Sequence, residues 1–134
     1  MRSMGLDIGD RRIGVALGDP LGIMASPLTI IECLDESTDI AAIINLIGQH
    51  QVRRVIVGLP ISMDGSLGQQ AGKVKTFVQE LCRHTEVPVE FRDERLSTVS
   101  ARRLARAAGK TRSVRHDAVA AALILQGYLD EEPS

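Results

Sequence analysis

Aromatic side chains are almost missing from this sequence of 134 residues, which has no tryptophan, one tyrosine and two phenylalanines. Many nucleic-acid-binding modules stack bases on an aromatic platform. A platform of that kind is nearly excluded here, and the core must be aliphatic and rich in alanine. The hydrophobic fraction of 44% is nevertheless typical of a globular protein.

Long apolar runs are missing as well. No stretch approaches the ~20 apolar residues that a membrane-spanning helix needs. The N-terminus also lacks the charged region and apolar run of a signal peptide. We therefore expect a soluble, cytoplasmic protein without a membrane partner. A length of 134 residues predicts a single domain over residues 1–134.

Cysteine is scarce. Cys33 and Cys82 have neither the spacing of a zinc site nor that of a redox motif. A disulfide between them stays open. Two small buried hydrophobic residues in a reducing compartment are the favoured interpretation.

The formal net charge of −1 hides an uneven distribution of charge. The segment from Arg92 to Arg115, called the basic strip below, holds eight basic and only two acidic residues, whereas the C-terminus is acidic. Such a strip predicts contacts with nucleic-acid phosphates that do not read bases. A solvated helix face is the alternative. After Arg92, its basic members are Arg95, Arg102, Arg103, Arg106, Lys110, Arg112 and Arg115.

Hydrophobic periodicity predicts strands first. Three apolar runs with short connections indicate antiparallel strands over residues 3–8, 12–17 and 23–31. The third run contains Pro27 and is therefore expected at an edge or at a bulge. A compact run at residues 55–57 is typical of a strand buried on both faces.

Helical spacing dominates the remainder, apart from one further strand over residues 87–91. Helices are expected over residues 38–47, 71–81, 98–108 and 114–129. Ser37 or Thr38 is the expected N-cap of the first helix, and Ser97 or Thr98 that of the third. The order βββαβαβαα predicts an α/β fold, a mixed five-stranded sheet with its first three strands antiparallel and helices on both faces.

Asp7 is the first candidate for chemistry, because it is a charged residue inside an apolar strand. An unpaired carboxylate buried there would be destabilising or would become protonated. A divalent cation is a natural compensation. The alternative is an aspartate that caps a local turn near Gly9.

Two further sites carry acids. Asp93 and Glu94 end the strand through Phe91, and ligands of open α/β sheets gather beyond the carboxyl ends of strands. Adjacent strand residues point to opposite faces, so that both acids need not serve one site. Asp117 lies where the last helix begins, where the helix dipole alone would also favour a negative charge.

Together these acids predict a metal site, since Asp7, Glu94 and Asp117 converge if the sheet is ordered as expected. Oxygen ligands select Mg²⁺ or Mn²⁺ over zinc. Two such ions about 4 Å apart suit the hydrolysis of a phosphodiester. We expect Asp7 to bridge the ions, Glu94 and Asp117 each to complete one, and Arg95 or another member of the basic strip to hold the phosphate. Asp93 is a secondary candidate.

Two loops add to this prediction. Asp10, Arg11 and Arg12 are expected to form a tight turn beside Asp7, where backbone N–H groups and guanidinium groups could contact a phosphate. The polar loop over residues 60–68 is either a mobile flap over a substrate or a flexible connection.

Six motifs in this order resemble the YqgF family, also called RuvX, whose members are named as Holliday junction resolvases and as pre-16S rRNA nucleases. The resemblance covers nearly the whole chain. The motifs are Leu6-Asp7-Ile8-Gly9, Arg12-Ile13-Gly14-Val15-Ala16, Val57-Gly58-Leu59-Pro60, Met63-Asp64-Gly65-Ser66, Asp93-Glu94-Arg95-Leu96 and Asp117-Ala118-Val119-Ala120-Ala121.

The resemblance implies a ribonuclease-H-like fold and a metal-dependent nuclease, with the family's acids at Asp7, Glu94 and Asp117. It also implies a bacterial role in maturing the 5′ end of 16S rRNA within ribosomal assembly intermediates. Two positions depart from the family pattern. Ser97-Thr98 replaces two threonines and keeps a hydroxyl for a cap or a phosphate contact, and His116 replaces an aliphatic residue.

Three other functions stay open. The first strand and its turn also resemble the phosphate loop of actin-like and sugar-kinase ATPases, but those need two such domains. A non-catalytic RNA-binding assembly factor is a stronger alternative. A resolvase of DNA junctions would cut two strands and should be a dimer. No dimer stripe is visible, so we expect a monomer or weak dimer that prefers structured RNA.

Overall fold

The computed structural model describes residues 2–60, 68–93 and 116–131, the side chains of residues 116 and 117 excepted. Element labels below count only these residues. The strands are β1 (Arg2–Ile8), β2 (Arg12–Gly18), β3 (Ala25–Glu32), β4 (Val52–Leu59) and β5 (Val89–Asp93). The helices are α1 (Glu36–Gln49), α2 (Gln69–Cys82) and α3 (His116–Glu131).

The strands form one sheet in the order β3-β2-β1-β4-β5. β1 pairs antiparallel with β2, and β2 antiparallel with β3. β4 pairs parallel with both β1 and β5. The carboxyl ends of β1, β4 and β5 therefore meet at one edge of the sheet, called the carboxyl edge below. The predicted mixed five-stranded sheet is confirmed.

Helices cover both faces of this sheet, as expected. Ile43 of α1 and Val74 of α2 pack with Leu6 of β1 in one hydrophobic cluster. On the other face, α3 packs Ala121 and Leu125 in a cluster with Ile56 of β4. Both clusters are built from aliphatic residues, which agrees with the scarcity of aromatics.

Pro27 explains two features of β3, its position at the edge of the sheet and its register shift. A proline has no backbone N–H to donate to a neighbouring strand. β3 lies at the end of the strand order, and its register with β2 shifts between Val15 and Ala16, opposite Thr29 and Pro27. The prediction of an edge or bulged strand is confirmed in both respects.

Helix α1 begins at Glu36, two residues before the expected start at residue 38. Asp35 is the N-cap, and its carboxylate accepts a hydrogen bond of 2.8 Å from the N–H of Thr38. The Thr38 hydroxyl donates to the same carboxylate at 3.0 Å. The prediction of Ser37 or Thr38 as the cap was therefore wrong, because aspartate competes for the same role and Thr38 is already the third residue of the helix.

Both cysteines are free thiols. Cys33 is half-buried, and burial together with the neighbouring Asp39 carboxylate raises the pKa of its thiol. Cys82, at the last position of α2, is exposed. The prediction of burial was wrong for Cys82. The helical pattern of α2 does not show that its last residue lies outside the core. No helix among residues 2–60, 68–93 and 116–131 is long and apolar enough to cross a membrane.

Candidate active site

Asp7 lies near the carboxyl end of β1, opposite Gly14 of β2, and is half-buried. Its face of the sheet follows from its neighbours. Leu6 belongs to the cluster under α1 and α2, whereas Gly5 contacts α3. Because side chains alternate along a strand, Asp7 shares the α3 face with Gly5.

The close approach of α3 to Gly5 determines what lies beside Asp7. A Cβ at Gly5 would come within 2.6 Å of the carbonyl oxygen of Ala121. Further back, Gly18 lies beside both Ser3 of β1 and Leu129 of α3. The helix therefore runs antiparallel to β1.

Simple geometry then locates the start of α3. From Gly5 to Asp7 the strand advances ~6.6 Å. From Ala121 back to Asp117 the helix rises ~6 Å. The backbone of the first turn of α3 thus reaches the carboxyl end of β1, where Asp7 stands. The side chain of Asp117 lies outside the described residues.

β5 brings a second acidic strand end to the same edge. Asp93 is the last residue of β5 and pairs with Leu59, the last residue of β4. Arg92 reaches α3, where it donates to Glu131 at 2.7 and 2.9 Å. Alternation therefore directs Asp93 to the opposite face from Asp7. Glu94 lies outside the described residues.

Arg92 is a correction to the basic strip. Its side chain is 9% exposed and forms a bidentate ion pair with Glu131, which raises the pKa of Arg92 and lowers that of Glu131. Gly127 makes room for the guanidinium, since a Cβ there would meet its Nη2 atom at 2.9 Å. Arg92 therefore joins β5 to α3 and is not available to a phosphate, contrary to its place in the strip. The strip's other members, together with Thr98, lie outside the described residues.

The β1–β2 turn is tight, as predicted. The N–H of Gly9 donates to the carbonyl of Arg12 at 2.9 Å, and a Cβ at Gly9 would meet that oxygen. Arg11 is exposed at its tip, and its carbonyl accepts from the N–H of Cys33 at 2.9 Å. Arg12 is paired with Glu32 across the β2–β3 ladder at 3.5 Å. Both guanidinium groups are exposed beside the end of β1, where they could contact a phosphate.

Helix α2 approaches this turn from the other face. The Gln70 amide donates to the carbonyl of Ile8 at 3.4 Å, and Lys73 pairs with Asp10 at 3.5 Å. An open groove of about 580 Å³ lies between the turn and the two helices, with Asp39 in its lining. Sequence reasoning missed Lys73, because nothing in the helical pattern distinguishes it from Lys75.

Two of the three predicted metal ligands have side chains outside the described residues. Among residues 2–60, 68–93 and 118–131, no three His, Cys, Asp or Glu side chains form a group that could hold a metal ion. Of the three predicted ligands, this part of the chain includes the side chain of Asp7 alone. Asp7 has interaction partners in the structure. Its carboxylate oxygens are donors of the type that hard cations prefer.

Comparison with known proteins bears on the family. Residues 1–131 match the family model RuvX, described as Holliday junction resolvase. A protein of Roseiflexus sp. (strain RS-1), named "Putative pre-16S rRNA nuclease", is 46% identical over 134 residues, or 98% of this chain and 95% of that protein. One of Moorella thermoacetica with the same name is 48% identical over 133 residues, 97% of this chain and 95% of the relative.

Solved structures bear on the fold. RuvC of T. thermophilus in complex with a Holliday junction substrate superposes with a TM-score of 0.67 at 16% identity, over 96% of this chain and 93% of that one. The fowlpox virus Holliday junction resolvase gives a TM-score of 0.60 at 11% identity, over 98% and 100%. These matches confirm the ribonuclease-H-like fold. The family model and the relatives at 46% and 48% identity show that the chain belongs to the RuvX family.

Proposed function

We propose that this protein is a divalent-metal-dependent nuclease that hydrolyses phosphodiester bonds at the 5′ end of precursor 16S rRNA. One observation carries the proposal: the contact of Gly5 with Ala121 brings the start of α3 to the carboxyl end of β1, beside Asp7. The names of the relatives from Roseiflexus and Moorella support the choice of RNA. The family description supports a nuclease in general.

The acids assigned to the reaction are Asp7, Glu94 and Asp117. Asp7 is the central one, since β1 lies between β2 and β4 in the sheet and its end faces α3. Glu94 is preferred to Asp93, because Asp93 is directed to the face opposite Asp7. Carboxylate oxygens fit Mg²⁺ or Mn²⁺, which when bound would activate water and stabilise the leaving oxygen.

The remaining residues of the site would bind the substrate. Arg11 stands exposed on the turn that follows Asp7. We assign to Arg11, Arg95 and the basic strip the phosphates that flank the cleaved bond, held by charge without reading bases. His116 is the first residue of α3.

The test is cleavage of an end-labelled precursor 16S rRNA fragment in Mg²⁺, in Mn²⁺ and in EDTA. The unaltered protein is expected to cut the RNA only with metal. Asp7→Asn should lower kcat by at least about 100-fold, since it removes an acid that acts in the transition state. Glu86→Gln is the control, because Glu86 is an exposed acid in the loop before β5, at the opposite edge of the sheet. Full activity of Asp7→Asn would disprove the assignment.

Hydrolysis of a DNA four-way junction is the second candidate, favoured by the description of the family model. The same assay with a labelled junction decides between the two. Cutting of the junction alone, by a protein that sediments as a dimer, would support a resolvase. Binding of RNA without cleavage under every metal condition would identify a non-catalytic assembly factor.

A further inference from the structure

Lys73 is held at the carboxyl edge by a weak ion pair. Its Nζ atom lies 3.5 Å from Oδ1 of Asp10, in the turn that follows the strand of Asp7. One helical turn earlier, Gln70 contacts the carbonyl of Ile8, the residue directly after Asp7. Two side chains of α2 therefore reach over the end of β1 from the face opposite α3.

The pair contributes little to folding. Both side chains are 64% exposed. An exposed ion pair typically contributes much less to the free energy of unfolding than a buried contact does. Helix α2 is anchored instead by buried side chains on its other side, among them Val74 and Leu81. The charge of Lys73 lies beside the candidate active site and is not needed to hold the fold together. It is therefore available for a ligand.

The charges around Lys73 locate that ligand. The floor of the neighbouring groove is acidic, since Asp39 is buried there and accepts a hydrogen bond from the N–H of Leu34 at 3.0 Å. The cations beside the groove are Lys73, which also lines it, and exposed Arg11, which follows Asp10 in the β1–β2 turn. An anion would therefore be repelled by the buried acid and attracted to Lys73 and Arg11.

We propose that Lys73 binds a backbone phosphate of the nucleic-acid strand that crosses the carboxyl edge, with Asp10 as the counter-ion that it exchanges for that phosphate. This inference rests on the proposed nuclease function and adds a substrate-binding residue to it. Asp10 holds the lysine in position before the substrate arrives and competes with the phosphate afterwards. Substitutions of the two residues should consequently change binding in opposite directions.

The experiment measures the dissociation constant of a precursor 16S rRNA hairpin by fluorescence anisotropy over a series of KCl concentrations, in EDTA. Lys73→Ala should weaken binding by about 5- to 20-fold and reduce the slope of log affinity against log salt by about 1. Lys73→Arg should retain most of the affinity. Asp10→Asn should tighten binding by about 2- to 3-fold. Lys75→Ala is the matched control, since Lys75 lies ~200° further around the same helix.

Cleavage kinetics supply a second measurement. Lys73→Ala should raise KM and leave kcat unchanged, because a phosphate contact away from the reacting bond is the same in ground and transition states. Equal effects of Lys73→Ala and Lys75→Ala would reduce the result to general charge and overturn the inference. Loss of cleavage in Asp10→Asn would assign Asp10 to the acids of the site and overturn it too. A wild-type protein that neither binds nor cuts the RNA would instead reject the proposed function itself.

Discussion

At the scale of single residues, environment separates charged side chains that look equivalent in the sequence. Arg92 and Lys73 are both basic, and each reaches from its own element to an acid of another segment. Arg92 is buried in a bidentate pair with Glu131, whereas Lys73 is exposed and only loosely paired. The first therefore joins two elements, and the second is available to a ligand.

The Arg92–Glu131 pair makes stability depend on pH. Arg92 lowers the pKa of Glu131 from its ordinary 4.5, so the folded state holds the ionised carboxylate. The stabilisation is complete above that ordinary value and is lost as the pH falls through the lowered value of the folded state. Glu131→Gln should therefore unfold at lower urea than wild type at neutral pH, and the difference should shrink in acid.

Urea denaturation followed by circular dichroism over a pH series measures this difference. In an Arg92→Met background, Glu131→Gln should change the midpoint little at any pH, because the partner is gone. A difference between Glu131→Gln and wild type that stays constant down to strongly acidic pH would contradict the assignment.

At the scale of elements, the candidate site depends on how α3 lies across β1. Gly5 lies directly against the backbone of α3, and only a residue without a Cβ permits this contact. The antiparallel direction of the helix then places its first turn, and not its acidic end, at the carboxyl edge. Asp7 and the start of α3 meet for this reason.

Gly5→Ala is expected to destabilise the fold by about 1–3 kcal/mol, since the added methyl would meet the backbone oxygen of Ala121 and the Cβ of Leu125. Backbone cannot rotate away as a flexible side chain can. The resulting shift of α3 should also lower nuclease activity under conditions where the variant is folded. Unfolding midpoints in urea and cleavage rates together test both effects.

Gly72→Ala is the matched control for that substitution. Nothing lies within 4 Å of a Cβ built at Gly72, which is the fourth residue of α2. The change should raise stability by up to about 1 kcal/mol through helix propensity alone. A Gly5→Ala variant as stable as wild type would show that α3 does not lie as closely on β1 as the structure has it.

At the scale of the whole molecule, charged side chains lie at both edges of the sheet, and the carboxyl edge holds the acids of the proposed site. Asp7, Asp93 and the turn with Arg11 lie at the carboxyl edge, and the chain continues from Asp93 into the remainder of the basic strip. Arg53, at the start of β4, and Arg83, just after α2, lie towards the other edge. Because the proposed site lies at the carboxyl edge, we expect the substrate to approach that edge.

The salt dependence of RNA binding tests this distribution. Arg102→Ala combined with Arg103→Ala should weaken binding to all sequences alike and reduce the salt slope by about 1–2. Arg53→Ala combined with Arg83→Ala removes the same charge from the other edge and should have a much smaller effect. A change in sequence preference, or equal effects of the two double variants, would show that the strip does not act as a phosphate-binding surface.

Sequence patterning alone predicts the order and type of the described elements, the mixed sheet and the edge position of the strand with Pro27. The predicted helix over residues 98–108 lies outside the described residues. Periodicity, turn residues and proline act locally, so they can be read from a linear chain. The sequence also identifies Asp7 as a candidate, because a charged residue inside an apolar strand is unusual unless a partner compensates its charge. Caps were less certain: Asp35, Ser37 and Thr38 are all good candidates, and only their geometry selects Asp35.

Contacts between distant residues are visible only in the folded chain. The pairing of Arg92 with Glu131, the contact of Gly5 with Ala121 and the approach of Lys73 to Asp10 all join positions far apart in the chain. None leaves a pattern in the sequence, because each depends on how a helix is placed on the sheet and not on the preferences of its own residues. The same holds for Asp93: its face, opposite to that of Asp7, follows from the alternation fixed by Arg92 against α3.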